Sequence, residues 1–135
     1  VMAAFVEARS LGKVLVAGIP IRLWARKMRV PDIAFMRAEN ASRRREQFWD
    51  GADLVVEIVS PDDPRRDLET KRDEYALAGI PEYWIVDPMA ERILVLRLDG
   101  RSYEEHGEFV RGMWATSAIL PDFAVSVDEV LDSAR

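Results

Sequence analysis

An acid stands in the middle of the most apolar run of the chain, Leu54-Val55-Val56-Glu57-Ile58-Val59, where both alternating sets of side chains are otherwise aliphatic. That pattern is the mark of a strand buried on both faces. A carboxylate taken out of water without a partner is costly, so Glu57 calls for a cation, a metal or a proton beside it. Twenty-five positions earlier the anomaly repeats: Asp32 stands in the short apolar run Val30-Pro31-Asp32-Ile33-Ala34-Phe35. Fourteen positions after Glu57, Lys71 falls on what should be the inward stripe of a helix. Magnesium and manganese favour hard oxygen ligands, commonly one or two carboxylates with water and substrate phosphate. Asp32 and Glu57 would supply the carboxylates from adjacent strands, and the Ile58 carbonyl could add a third oxygen. Such an ion polarises a phosphoryl oxygen and makes hydroxide available near neutral pH. The Lys71 ammonium could orient the attacking water or stabilise charge on the transferring phosphoryl group. Together the three residues suggest a metal-dependent hydrolytic site.

Each of these residues also has a structural explanation. Glu57 could form an ion pair with Arg22 or Arg29. Asp32 after Pro31 could cap a turn. Lys71 could run its stem along the sheet to solvent, or pair with Asp67 four positions before it on the helix surface. Tyr75, Tyr83 and Trp84 are most simply core aromatics. Ser60 serves to end its strand, and His106 sits on an acidic hairpin where it should be exposed.

The elements that must position these groups follow from periodicity and turn residues. Residues 1–10 read as the tail of an amphipathic helix, and residues 13–17 and 19–24 as two short strands bent at Gly18-Ile19-Pro20. Arg26-Lys27-Met28-Arg29 forms a basic turn into the Asp32 strand. Residues 37–51 lose apolar periodicity apart from Phe48-Trp49 and read as a long loop carrying Arg43-Arg44-Arg45, the densest positive cluster. After Ser60-Pro61 a helix is expected, with Asp63 at its N-cap, Pro64 at its first position and Gly79 at its stop. Leu68, Lys71, Tyr75 and Ala78 share its inward face. Residues 82–86 form the next strand, and residues 93–98 and 102–106 a hairpin around Asp99-Gly100. Residues 113–117 and 123–127 suggest further strand pairing, and residues 128–133 a terminal helical turn. The outcome is an α/β chain of the α+β type: a mixed sheet flanked by helices, with the Asp32 and Glu57 strands as neighbours and extra C-terminal strands.

The 135 residues fit one domain spanning 1–135, large enough to bury a core. The absence of cysteine excludes disulfide frameworks and cysteine-rich zinc sites, and one histidine excludes sites needing two. No apolar run approaches the roughly 20 residues of a membrane span and no secretory signal is visible. No membrane association is therefore expected, and a cytoplasmic location is the default. The net charge of −5 hides an asymmetry: residues 1–50 carry ten Lys/Arg against five Asp/Glu, and residues 51–135 nine against nineteen. A basic first third could place a phosphate-binding face beside a metal site. Arg43-Arg44-Arg45 reads first as a solvated loop and second as a DNA contact.

Pro31-Asp32, followed by Glu57 in an apolar strand, resembles the PD-(D/E)xK nuclease superfamily. More closely, the stretches RVPDIAF, DLVVEIVSP, RRDLETKRDEYALAGIPEYWIVDP and LPDFAVSVDEVL resemble the bacterial Uma2 family of restriction-endonuclease-like proteins. The string from Asp53 through Pro88 is the most specific part of the likeness. The resemblance implies a restriction-endonuclease-like core of helix, three strands, helix and strand. It also implies a Mg2+- or Mn2+-dependent endonuclease acting on DNA, with Asp32 and Glu57 holding the metal and Lys71 completing the catalytic set. Val59 stands where the superfamily pattern would put its lysine, and the Uma2 pattern moves that role to the next helix, at Lys71. Relatives carry an additional N-terminal acidic segment, so a missing native N-terminal part is expected. Arg26, Lys27, Arg29, Arg43, Arg44 and Arg45 are the candidate nucleic-acid contacts. A homodimer is possible, since symmetric cleavage of two strands favours one. Two alternatives remain: a catalytically inactive nuclease-fold module that binds nucleic acid or protein, and a scaffold in which Asp32 and Glu57 form ion pairs.

Overall fold

The computed structural model describes Met2, Val6 and residues 9–16 and 19–133, apart from the side chain of Asp67. Most of the helix expected over residues 1–10 and the bend at Gly18 lie outside the described residues. Met2 and Val6 are themselves helical and buried.

Among the described residues, ten strands and two α-helices follow in the order β1 (Gly12–Val16), β2 (Ile21–Trp24), β3 (Lys27–Arg29), β4 (Ile33–Arg37), β5 (Leu54–Ile58), α1 (Lys71–Leu77), β6 (Glu82–Asp87), β7 (Arg92–Asp99), β8 (Ser102–Val110), β9 (Trp114–Thr116), β10 (Ala124–Ser126) and α2 (Val127–Ser133). Six strands form the main sheet in the order β1-β4-β5-β6-β7-β8. All its neighbours run antiparallel except β5 and β6, which are parallel. A parallel pair needs a long crossover connection, and the segment containing α1 supplies it.

The apolar alternation sends side chains to two cores, one on each face of the sheet. Ala34, Met36, Val55, Tyr83, Ile85, Leu94 and Leu96 face α1 and the β2–β3 hairpin. Phe35, Leu54, Val56, Trp84, Val86, Ile93 and Val95 face the other way, onto β9, β10 and α2. Burying each such side chain fully contributes about 1.5–3 kcal/mol, which makes an acid on either inner face conspicuous. All six residues of β6 are buried, and β5 is buried through Glu57 before Ile58 emerges at 41 % exposure. Asp32 lies immediately before β4, and the β4–β5 register of Ile33 opposite Val56 places it across from Glu57.

Three local expectations change. The basic turn at residues 26–29 is strand β3, hairpinned to β2 through Ala25 and Arg26, with Arg26 at φ 70°. The loop after β4 contains a 3-10 helix, Ala38–Arg43. The helix after Pro64 is not uniformly α: a π-helical stretch, Arg66–Thr70, leads into α1, a distortion frequent at functional sites. Gly79 does stop α1, at φ +79°. Its N–H donates to the Ala76 carbonyl and that of Ile80 to the Tyr75 carbonyl, the paired bonds of a Schellman cap. The cap buries Ile80 in the same core as Tyr75, which fixes the last turn of α1 against the sheet.

Candidate active site

Glu57 is the centre of the site, with a side chain only 3 % exposed. It shares the face of Val55, so it points toward α1 and not toward the C-terminal layer. There Lys71 and Tyr75, one helical turn apart on α1, both reach its Oε2. The Lys71 Nζ lies 2.8 Å from it and the Tyr75 hydroxyl donates to it at 2.7 Å. The other oxygen, Oε1, accepts the Asp32 backbone N–H at 3.3 Å. Asp32 is held in turn by the Ile58 N–H, which donates to its Oδ2 at 2.7 Å. The two acids thus cross-link the beginning of β4 to the end of β5.

The electrostatics are a balance of opposed effects. Burial pushes the Glu57 carboxyl above the ordinary glutamate range, and the nearby Asp32 charge adds to this. Lys71 and Tyr75 pull the other way without cancelling the burial. The Tyr75 phenol is displaced far upward, by its own burial first and by Glu57 second. It therefore remains an O–H donor at any working pH. Its ring stands edge-on to Tyr83, with centroids 5.0 Å apart.

All four residues expected at a metal or catalytic site, Asp32, Glu57, Ile58 and Lys71, are brought together at one end of the sheet. The partner proposed for Glu57 among the arginines is different: Arg22 pairs with Asp50 at 2.9 Å, and Arg29 with Glu74 at 2.7 Å. The alternative Lys71 partner, Asp67, has its side chain outside the described residues. Tyr75 is a core aromatic, as its period suggested, but its hydroxyl belongs to the site. Sequence carried one signal for this: Tyr75 lies four positions after Lys71, on the same helical face.

The six basic candidates divide by environment. Lys27 and Arg29 reach over the first core to Glu74 on α1, at 3.0 and 2.7 Å, and lock the hairpin onto the helix beside Glu57. Arg43 turns back on its own loop, donating from Nε to the Asp50 carbonyl at 2.9 Å. Arg26 is exposed at the hairpin tip. Arg44 and Arg45, with Lys13, Glu46 and Trp49, line a polar groove of about 470 Å³. Lys13 pairs with Met36, four residues along from Asp32, about 13 Å at the usual strand rise. A second groove, of about 350 Å³, is apolar and lies on the opposite face, between Trp84, Phe123 and α2. Its lining includes Ile33 and Ile58, the immediate neighbours of the two acids, but neither Asp32 nor Glu57.

The Glu74 latch gives a signed pH effect. Burial pushes the Glu74 carboxyl up, but the hydrogen bonds and charges of Arg29 and Lys27 outweigh it and hold it below its ordinary value. Its contribution to stability is therefore present above the unfolded-state value and is lost as the pH falls through the lower folded-state one. Glu74→Gln should cost about 1–2 kcal/mol at neutral pH, allowing for partial solvent screening. In urea denaturation the gap between the two proteins should close on acidification. A gap independent of pH would show that the latch acts through shape alone.

A crystal structure of a "putative nuclease belonging to DUF820" from Anabaena variabilis ATCC 29413 has a similar fold. The TM-score is 0.74 at 15 % identity, over 97 % of this chain and 74 % of that one. At that identity the likeness speaks for the mixed-sheet fold. None of the curated proteins matches the chain. The Uma2 family model, described as "Putative restriction endonuclease", matches residues 1–128. With a match over nearly its whole length, including both acids, Lys71 and the strands and helix that bring them together, the chain belongs to the Uma2 family.

Proposed function

We propose that the protein is a Mg2+- or Mn2+-dependent endonuclease that hydrolyses DNA phosphodiester bonds, with Asp32, Glu57 and Lys71 as its working residues. The observation that carries this reading is the meeting of two carboxylates and an ammonium at one sheet end, beside the exposed Ile58. The donor set suits a hard divalent cation: both acids offer oxygens, and the end of β5 opens to solvent. Among the described residues no third Asp, Glu or His completes a cluster with them. The remaining ligands would come from backbone such as the Ile58 carbonyl, from water and from substrate phosphate. When bound, the ion supplies Lewis-acid polarisation of a phosphoryl oxygen and a more acidic water. In the hydrolysis, a water oxygen bonds to phosphorus as the bond from phosphorus to a sugar oxygen breaks. Lys71 would hold that water or neutralise charge on the phosphoryl oxygens. Membership of a family described as restriction endonucleases supports a nucleic-acid substrate. The groove lined by Arg44, Arg45 and Lys13 suits a phosphate backbone, and Arg26 at the hairpin tip could add a contact. Lys27, Arg29 and Arg43 would act first as braces of their own segments.

A second reading, a nuclease fold that binds without cutting, draws on one feature: Oε2 of Glu57 already receives Lys71 and Tyr75, so part of its charge is met internally. Lys71→Met separates the two. A nuclease should lose cleavage of plasmid and linear DNA in Mg2+ or Mn2+ by about 10²–10³-fold, with DNA binding retained. Absence of any chelator-sensitive cleavage by the unmodified protein, with binding intact, would favour the module.

A further inference from the structure

Tyr75 takes no part in the reaction proposed above, yet its hydroxyl has a specific placement. A phenylalanine would fill the same space in the core, edge-on to Tyr83, without burying a polar group. A buried hydroxyl is unfavourable unless hydrogen-bonded, and Tyr75 directs its own to Glu57 Oε2 at 2.7 Å. The terminal torsion of a glutamate side chain is soft and roughly two-fold. Burial alone therefore does not fix the plane of the carboxylate. Lys71, at the end of a flexible four-carbon stem, is a weak means of fixing it. Tyr75 is a rigid one: its ring is fully buried, its carbonyl is bound in the Schellman cap, and its ring is braced by Tyr83. With Oε2 held from the helix side, Oε1 is the oxygen turned toward Asp32.

We propose that Tyr75 is a positioning residue that fixes the Glu57 carboxylate through the Tyr75 Oη to Glu57 Oε2 hydrogen bond, so that the opposite oxygen is presented beside Asp32 for a divalent cation. The inference rests on the metal-site reading given above. Partners that orient a ligand from behind commonly account for 10–100-fold in metal affinity.

Tyr103 provides the control. It lies in the same core, its ring 6.0 Å from that of Tyr83, and its hydroxyl donates at 2.7 Å to the Ile80 carbonyl, away from Glu57. Manganese affinity is to be measured by titration calorimetry on the full chain, as wild type, Tyr75→Phe, Tyr103→Phe and Glu57→Gln, with thermal melts of the metal-free proteins. Both Phe variants lose one buried hydrogen bond and should melt slightly below wild type. Tyr75→Phe should bind manganese about tenfold or more weakly, while Tyr103→Phe should match wild type. Unchanged affinity in Tyr75→Phe, while Glu57→Gln abolishes binding, would overturn the positioning role and leave the metal site standing. Equal weakening in both Phe variants would also overturn it, as general loosening of the core. A wild type that binds no manganese at millimolar concentration would overturn the metal-site reading itself, and this inference with it.

Discussion

Glu57→Gln should abolish manganese binding and reduce DNA cleavage by about a thousandfold or more, while leaving the protein folded. The substitution keeps the volume and an oxygen able to accept the Tyr75 hydroxyl, but removes the charge that a hard cation needs. Loss of several kcal/mol of transition-state stabilisation corresponds to a factor of that order, since each 1.36 kcal/mol is tenfold in rate. The stability side has two opposed parts. Lys71, with a side chain 13 % exposed, loses its carboxylate partner at 2.8 Å. The desolvation of Glu57, which dominates its raised pKa, is relieved at the same time, as is its repulsion with Asp32. The net cost should be about 1–3 kcal/mol, against the 5–15 kcal/mol typical of a domain. A cooperative melt with no calorimetric metal signal is the expected result. Manganese binding as tight as in wild type would move the metal away from Glu57. Unfolding of the variant would make Glu57 a structural ion pair first.

Glu82→Leu should be the more damaging change to the fold, costing about 3–5 kcal/mol. Glu82 opens β6, is 0 % exposed, and faces the C-terminal layer. Its Oε2 accepts the Trp84 indole N–H at 2.7 Å and the Ser117 hydroxyl at 2.6 Å. Its Oε1 accepts the backbone N–H groups of Ala118 at 2.6 Å and Ile119 at 3.1 Å. One carboxyl group thus ties the loop between β9 and β10 to the main sheet. A leucine of similar size would leave the Trp84 indole N–H, the Ser117 hydroxyl and the Ala118 N–H without their acceptor, and the Ile119 N–H with only the Ser117 Oγ at 3.2 Å; unmet buried donors cost about 1–3 kcal/mol each. Rotation of the Ser117 hydroxyl and movement of the loop toward water should recover part of this. Urea denaturation should show the loss, and hydrogen exchange should show it first in β9, β10 and α2, whose core residues include Ala115, Phe123 and Leu131. Manganese affinity should be unchanged in whatever fraction folds, because Glu57 is on the other face. A destabilisation under 1 kcal/mol would show that the loop finds water or backbone partners unaided.

Glu82 also marks a limit of reading from sequence. It stands at the edge of the apolar run Tyr83-Trp84-Ile85-Val86, where an acid reads as the solvent-facing end of a strand. Its burial comes from residues 117–119, some 35 positions on, and no local pattern announces that loop. The bracing role of Lys27 and Arg29 is hidden for the same reason: Arg29 meets Glu74 across 45 positions. Charge density marked both residues as nucleic-acid candidates, yet it contains no information about counter-ions brought in by a helix.

Glu57 and Lys71 were legible because each breaks a periodicity that is itself local, whereas Asp32, expected within its apolar strand, lies in the bend just before β4. A strand repeats every two residues and a helix every 3.6, so an acid on an inner strand face or a lysine on an inward stripe is visible without any knowledge of the partner. Gly79 was legible in the same way, because a left-handed position just past a helix favours glycine. Periodicity and turn residues set the order of the elements, and the family resemblance added the restriction-endonuclease-like reading of that order. The tertiary structure alone decided that Lys71 and Tyr75 share one carboxylate oxygen, that Asp32 is stitched to Ile58, and that the arginines go elsewhere. Those outcomes depend on strand order, on a β4–β5 register in which a one-residue slip would turn Glu57 away from Asp32, and on the rotation of α1 after its π-helical lead-in. Periodicity tells which side chains point inward; only the register and the packing of one element on another decide which of them meet.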